Sequence, residues 1–447
     1  MRAGSIFLKV GLLGLAAAGC ALAYAWHPAI QPSTQRSQSS FDLDVVRRGS
    51  ELALLGDCKT CHTASGGRPF AGALAMLTPF GTLYSTNITP DPSTGIGLWS
   101  EDAFVRALRK GVDREGRHLY PAFPYDHYTL TSDLDAKALY AFLMTREPVI
   151  STAPPNELVF PLNVRLVLAG WKLLFFREGR LAADPTKDET WNRGRYLVEG
   201  LGHCGACHSP RNIAGAEERS DALKGGEAEG WHAYALGPAS QAPIPWTEEA
   251  LTQYLAEGYH REHGVARGSM APVVENLATV PRRDVAAMAR YLATLGAGPG
   301  SPGAALQKEL TGPGKQPQSA GAQAPTPAGS NDSGARIYAT ACASCHEGGR
   351  PVPFGGLHLS LSTGVAGESP ENLVNVILQG LPAQGGVARP IMPGFASILD
   401  DRQVIDLVTH LRARFGQKPS WPSVEDAIRE ARALPGIARR SASKIER

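Results

Sequence analysis

An all-α chain of three small helical modules in tandem is the fold the sequence predicts, on three observations. The pattern Cys-x-x-Cys-His occurs at Cys58–His62, Cys204–His208 and Cys342–His346. Similar helical segments flank each copy, as expected of a duplicated unit. Strand-like alternation is scarce throughout. The chain has 447 residues, too many for one small core, and a prior of roughly 100 to 200 residues per domain gives about three domains.

Each motif is preceded by a short helix that opens with a glycine. The three are Arg48-Gly49-Ser50 with Leu52 and Leu55, Arg193-Gly194-Arg195 with Tyr196 and Val198, and Ser333-Gly334-Ala335 with Ile337 and Tyr338. That glycine either permits close packing on another helix or is a helix-start residue with no special task. A second helix follows, entered by a capping residue with acids in its first turn: Ser100-Glu101-Asp102, Thr247-Glu248-Glu249 and Ser369-Pro370-Glu371. A last helix carries Leu139, Phe142 and Leu143 in the first module, Met288, Tyr291 and Leu292 in the second, and Val404, Leu407 and Leu411 in the third, all at helical spacing.

The resulting boundaries are 42–150, 189–296 and 332–416 for the modules, with an apolar linker at 151–188 and a flexible Pro/Gly-rich linker at 297–331. A charged tail at 417–447 reads as a short solvated amphipathic helix. Residues 1–26 read as a signal peptide or membrane anchor, with Arg2 at the start, apolar and small residues from Val10 to Trp26, and Ala23-Tyr24-Ala25 at the end. The apolar run sits at the lower edge of what spans a bilayer, so cleavage and retention both stay open. Ala17-Ala18-Gly19-Cys20 resembles a lipoprotein box, and Cys20 either carries lipid or is one more small residue of the segment. The formal charge of +2, with both signs spread along the chain, excludes a concentrated nucleic-acid footprint.

Seven cysteines and twelve histidines predict only about 0.003 chance matches to the motif, so three matches point to chemistry. Cysteines three apart on a helical turn share a face, where both thiols reach the vinyl groups of one heme. The next histidine then reaches the iron. Cys58 and Cys61 with His62, Cys204 and Cys207 with His208, and Cys342 and Cys345 with His346 are therefore expected to hold three covalent c hemes, in three class I cytochrome c-like domains. A redox cysteine pair needs no adjacent histidine, and zinc needs four ligands that no motif supplies.

On the far side of the iron, Met270 in Gly268-Ser269-Met270-Ala271-Pro272 and Met392 in Ile391-Met392-Pro393-Gly394 occupy the expected ligand interval. The first module breaks the pattern, because its loop Leu119 to Tyr125 carries Phe123 where methionine is expected. His127 is the first choice for that ligand, with His118, Met76 and Met144 as alternatives. A His/His pair would lower this heme's potential below the other two.

These residues together resemble the triheme cytochrome c subunits of periplasmic membrane-bound alcohol, aldehyde and gluconate dehydrogenases. The likeness rests on Pro79-Phe80-Gly81, the run Tyr84 to Pro92, Gly95-Ile96-Gly97, the loop Tyr120 to Tyr125, and the run Gly200 to Asn212. It covers residues 42–295 strongly and the third module more loosely, and the stretch Tyr120 to His127 looks most like members paired with molybdenum hydroxylases. The resemblance implies an electron-transfer subunit that is not itself an enzyme, on the periplasmic side of the cytoplasmic membrane. It further implies electrons taken from a quinoprotein, flavoprotein or molybdenum hydroxylase partner and passed to ubiquinone. Leu158 to Phe176 is densely apolar with aromatic and basic residues, and lies either in the membrane interface or between domains. Trp171 and Phe175 are the side chains through which that segment would meet a quinone. The competing reading is a heme enzyme, peroxidase or small-molecule redox catalyst, working at an open first heme with His118, Asp126 and His127 as acid–base groups.

Overall fold

The computed structural model describes residues 19, 23–296, 333–383 and 389–434. Cys20, most of the leader, the 297–331 linker and the end of the tail lie outside the described residues. The chain forms two compact units, one of residues up to 185 with 196–203 and 213–216, the other of 186–195, 204–212 and 217 onward. The first motif lies in the first unit, and the second and third motifs lie in the second.

Around each motif the same helices recur. The first set is Leu43–Leu55, Glu101–Lys110 and Asp133–Met144. The second is Glu189–Arg195, Glu248–Glu257 and Arg282–Gly296. The third is Ser333–Ala341, Glu371–Gln379 and Asp401–Gly416. Ser100 and Thr247 cap their helices by accepting from the backbone N–H of Ala103 and Ala250. Ser369 does not repeat this: Pro370 takes the cap position in helical conformation, and the buried Ser369 hydroxyl has no partner among the described residues. The apolar residues read from the last helices are all buried.

The module glycines are where first and last helices meet. A Cβ on Gly49 would stand 1.9 Å from the Ala138 carbonyl oxygen, one on Gly194 1.9 Å from that of Ala287, and one on Gly334 2.1 Å from that of Asp406. Close packing is therefore the task of all three glycines. Beside two of them the neighbouring arginine adds an ion pair to the opposite helix, Arg48 Nε to Asp135 at 3.2 Å and Arg193 Nε to Asp284 at 2.9 Å.

Three features depart from the sequence reading. Short antiparallel sheets follow the first two motifs, Ala75–Thr78 with Gly81–Tyr84 and Glu157–Leu158, then Gly226–Ala228 with Trp231–Ala233. The 151–188 segment supplies the strand Glu157–Leu158 and the helix Val167–Phe175, so up to Pro185 it is part of the first unit rather than a bare linker. The tail helix Val424–Ala433 buries Val424, Ala427, Ile428 and Ala431 in the third module's core together with Trp421, so it is packing rather than a solvated cap.

Replacing Gly49, Gly194 or Gly334 with alanine is expected to force the helix pair apart and destabilise that unit by at least about 1–3 kcal/mol. Thermal unfolding of the single variants checks this, and a midpoint equal to wild type would contradict the close-packing role.

Candidate heme sites

Each motif winds one helical turn, Cys58–Cys61, Gly205–His208 and Ala343–His346. None of the six motif cysteines is in a disulfide. Burial pushes the Cys58 and Cys204 thiols up to about 12 and Cys342 up to about 11. Raised in this way, these thiols are neutral at ordinary pH. A thioether, also neutral, suits the same surroundings.

The three histidines share one geometry. Nδ1 of His62 donates to the Thr86 carbonyl at 2.7 Å, Nδ1 of His208 to Tyr234 at 2.6 Å, and Nδ1 of His346 to Leu357 at 2.7 Å. A carbonyl only accepts, so the proton sits on Nδ1 and the lone pair is left on Nε2. Burial pulls all three pKa values down, against a smaller opposing pull from the carbonyls. Each motif thus presents a neutral imidazole, oriented and made more basic by its carbonyl, in the state an iron-binding histidine requires. With two thiols on the same turn, this donor set fits a covalently attached heme at each motif.

The sheets explain how the carbonyls get there. Thr86 follows the strand Gly81–Tyr84 by two residues and Tyr234 follows Trp231–Ala233 by one, so a hairpin returns the chain across the histidine in both cases. The third motif uses a shorter loop to Leu357, with Gly356 passing so close that a Cβ would lie 2.8 Å from the His346 ring.

Around Thr86 the run Ser85, Asn87, Thr89 and Asp91 is buried and polar. Asn87 Nδ2 donates to the Val149 carbonyl at 2.7 Å and to Thr94 at 3.0 Å. Its Oδ1 accepts from the Thr89 N–H at 2.9 Å. These bonds make the loop behind the first histidine rigid, which is the physical content of the Tyr84 to Pro92 resemblance.

Met270 and Met392 are both half-buried, each beside chain tied to the segment that holds its motif histidine. Met270 begins the helix Met270–Leu277, and a Cβ on the nearby Gly268 would stand 2.4 Å from the Trp231 indole, on the strand leading to Tyr234. Beside Met392, the Ile391 N–H donates to the Pro353 carbonyl at 2.9 Å, four residues before Leu357.

In the first module Phe123 packs on Tyr128 at 5.3 Å. Tyr128 donates to the Gly56 carbonyl at 3.2 Å and feels the Cys58 and Cys61 thiols, so the loop stands beside the first motif. His127 is half-buried on the helix Tyr125–Tyr128, with its Nδ1 donating to the Glu199 carbonyl at 2.7 Å. His118 is engaged elsewhere: its Nε2 donates to the Ala25 carbonyl at 2.9 Å, and its ring meets that of His27. Met76 lies on the strand Ala75–Thr78 opposite Leu83. Met144 is buried at the end of its helix. Sequence reasoning missed Thr86, Tyr234 and Leu357 because they act through a main-chain oxygen that every residue has.

Comparison with known proteins comes to the same chemistry. Residues 329–411 match the family model described as cytochrome C oxidase, cbb3-type, subunit III. The chain is 45% identical over 95% of its length to a nicotinate dehydrogenase subunit of Pseudomonas putida, and spans only 35% of that relative. It is 40% identical to the gluconate 2-dehydrogenase cytochrome c subunit of Pantoea cypripedii, covering 83% of this chain and 86% of the relative. It is 35% identical to the fructose dehydrogenase cytochrome subunit of Gluconobacter japonicus, covering 90% of this chain and 85% of the relative.

Asn87→Ala leaves the buried Thr89 N–H without its acceptor and removes one of two donors to the Val149 carbonyl, and is expected to cost about 1–3 kcal/mol. A fall in the first unit's unfolding midpoint would register it, and an unchanged midpoint would remove Asn87 from the support of Thr86.

Proposed function

Because the chain belongs to the family of cytochrome c subunits of dehydrogenase complexes, we propose that it carries three covalent c hemes in three class I cytochrome c-like modules. We further propose that it moves electrons one at a time from a separate catalytic dehydrogenase subunit to ubiquinone. The observation that carries the reading is the threefold recurrence of an imidazole with Nδ1 on a carbonyl beside two motif cysteines on the same helical turn. A bound heme supplies a one-electron iron couple at each site. Substrate oxidation belongs to the partner. A partner of the nicotinate dehydrogenase kind is favoured over the gluconate and fructose kinds by the higher identity, 45% against 40% and 35%.

The chain's own residues set the order of transfer. Met270 and Met392 would complete the second and third sites and raise their potentials. The first module has Phe123 in that interval, and His127 is proposed to close its site from the neighbouring helix. With two imidazoles that site would be the lowest in potential and the entry end of a downhill chain. The Glu199 carbonyl on His127 Nδ1 supports this, since it repeats the carbonyl contact made by the three motif histidines.

A membrane location is proposed from the first unit's surface. No helix among the described residues is long and apolar enough to cross a membrane. An exposed apolar face nonetheless runs along 159–174, with Phe160 81% exposed, Leu173 59% and Leu174 66%. Trp171 and Phe175 are not part of it: the Trp171 indole donates to the Ala214 carbonyl at 3.0 Å, and Phe175 packs on Trp171 at 5.5 Å. Helix Val167–Phe175 is pinned by Lys172, whose ammonium donates to the Lys110 and Gly111 carbonyls at 2.6 and 2.7 Å. The end of the leader is fastened to the first unit as well, through the Ala25 carbonyl on His118 and the Pro28 carbonyl on Arg106. Such a face, held rigid with its lysine buried, suits the headgroup boundary where a quinone is met.

Intact-mass measurement of the mature protein should show three heme adducts, and Cys204→Ser with Cys207→Ser should leave two. Any other count overturns the triheme reading.

Leu173→Ser with Leu174→Ser is expected to weaken vesicle binding about tenfold, at roughly 1 kcal/mol or less for each partly buried leucine, and to lower quinone reduction with heme content intact. Full retention of both would confine the face to another use.

A further inference from the structure

The second heme site is held from outside by the third module. The strand Trp231–Ala233 pairs on one side with Gly226–Ala228, with His232 opposite Glu227. The His232 peptide groups face the other way, and the Asn372 side chain meets both of them. The His232 N–H donates to Asn372 Oδ1 at 3.0 Å, and Asn372 Nδ2 donates to the His232 carbonyl at 2.8 Å. One turn on, the almost fully buried Asn375 donates through Nδ2 to the Gly230 carbonyl at 2.8 Å. Both asparagines stand on the helix Glu371–Gln379, whose other buried residues, Leu373, Val374, Ile377 and Leu378, belong to the third module's core. Only an amide side chain offers one donor and one acceptor spaced to engage both groups of a single peptide residue at a strand edge.

This strand also carries the fittings of the second site. Two residues beyond His232, the Tyr234 carbonyl accepts from His208 Nδ1 at 2.6 Å. At its other end, the Trp231 indole stands where a Cβ on Gly268 would touch it, two residues before Met270. Displacing the strand therefore moves the carbonyl on one candidate ligand and the wall behind the other. No other strand edge in the described residues joins an axial clamp to a neighbouring module in this way.

We infer that Asn372 is a positioning residue for the second heme, through which seating of the third module sets the strength of the His208–Tyr234 bond and with it that heme's reduction potential. A strong bond from Nδ1 to a carbonyl makes the imidazole more electron-rich and favours ferric iron, whereas a loosened bond favours ferrous. With the third module seated the second heme is held at the lower of two potentials, so electrons pass onward to the third. This rests on the proposal that hemes are attached at these motifs.

The test uses the full-length holoprotein and a spectroscopic redox titration. Asn372→Leu should shift one of the potentials upward by about tenfold in the reduction equilibrium, 59 mV for one electron, and leave the other two unmoved. The near-infrared and magnetic signature of a single heme should change in step. Asn372→Asp keeps the acceptor for the His232 N–H and should recover part of the shift. If Asn372→Leu lowers the unfolding midpoint but moves no potential, Asn372 is packing alone and the inference falls. If all three potentials move together, the effect is general loosening and the inference also falls. Absence of heme on Cys204 and Cys207 would instead remove the triheme reading, and this inference with it.

Discussion

The hydrogen bond from a motif imidazole to a main-chain carbonyl is the constraint around which the structure is arranged. It fixes which nitrogen keeps its lone pair, and it requires a second stretch of chain to cross the motif at a set height. In the first two modules a hairpin makes the crossing and in the third a short loop does, yet all three distances lie between 2.6 and 2.7 Å. Connecting segments of very different length, from motif histidine to carbonyl, thus converge on one contact. The buried polar run around Thr86 and the asparagine grip on the strand before Tyr234 are two unrelated ways of holding that carbonyl still.

What the sequence discloses follows from which contacts depend on side-chain identity. Covalent attachment dictates both residue type and spacing, so the cysteines and histidines can be read directly. The carbonyl clamps cannot, because Thr86, Tyr234 and Leu357 are used for an oxygen that any residue carries. The hairpins are two to four residues per strand, too short for alternation to emerge. The tail helix shows its apolar spacing plainly, but only the packed structure reveals that Val424 and Ile428 are covered. Ser369 illustrates the reverse error: the residue types of a helix start are present, while Pro370 occupies the capping place and leaves the hydroxyl unused.

The apolar segment of the first unit separates composition from orientation. Its aromatic residues are the natural choice for an interface, yet the indole of Trp171 is committed to the Ala214 carbonyl, and the bare surface is Phe160 with aliphatic residues. The buried Lys172 fixes that outcome, because an ammonium on the last carbonyls of the helix Glu101–Lys110 allows the segment only one rotational setting. Burial alone pulls this amine down to about 7, while the carbonyls of the helix end and the face of Tyr125, 4.6 Å away, favour the cation.

The glycine contacts carry a consequence for how such a chain can diversify. Where two helices touch through main-chain atoms, their separation is set by the polypeptide itself and owes nothing to the volume of neighbouring side chains. Each copy of the duplicated unit is then free to drift at nearly every other position, even to lose the arginine–aspartate pair as the third has done, and still deliver its imidazole to the same spot. Three helical units that share this contact can in this way carry different surfaces and different electrical character on a common ruler.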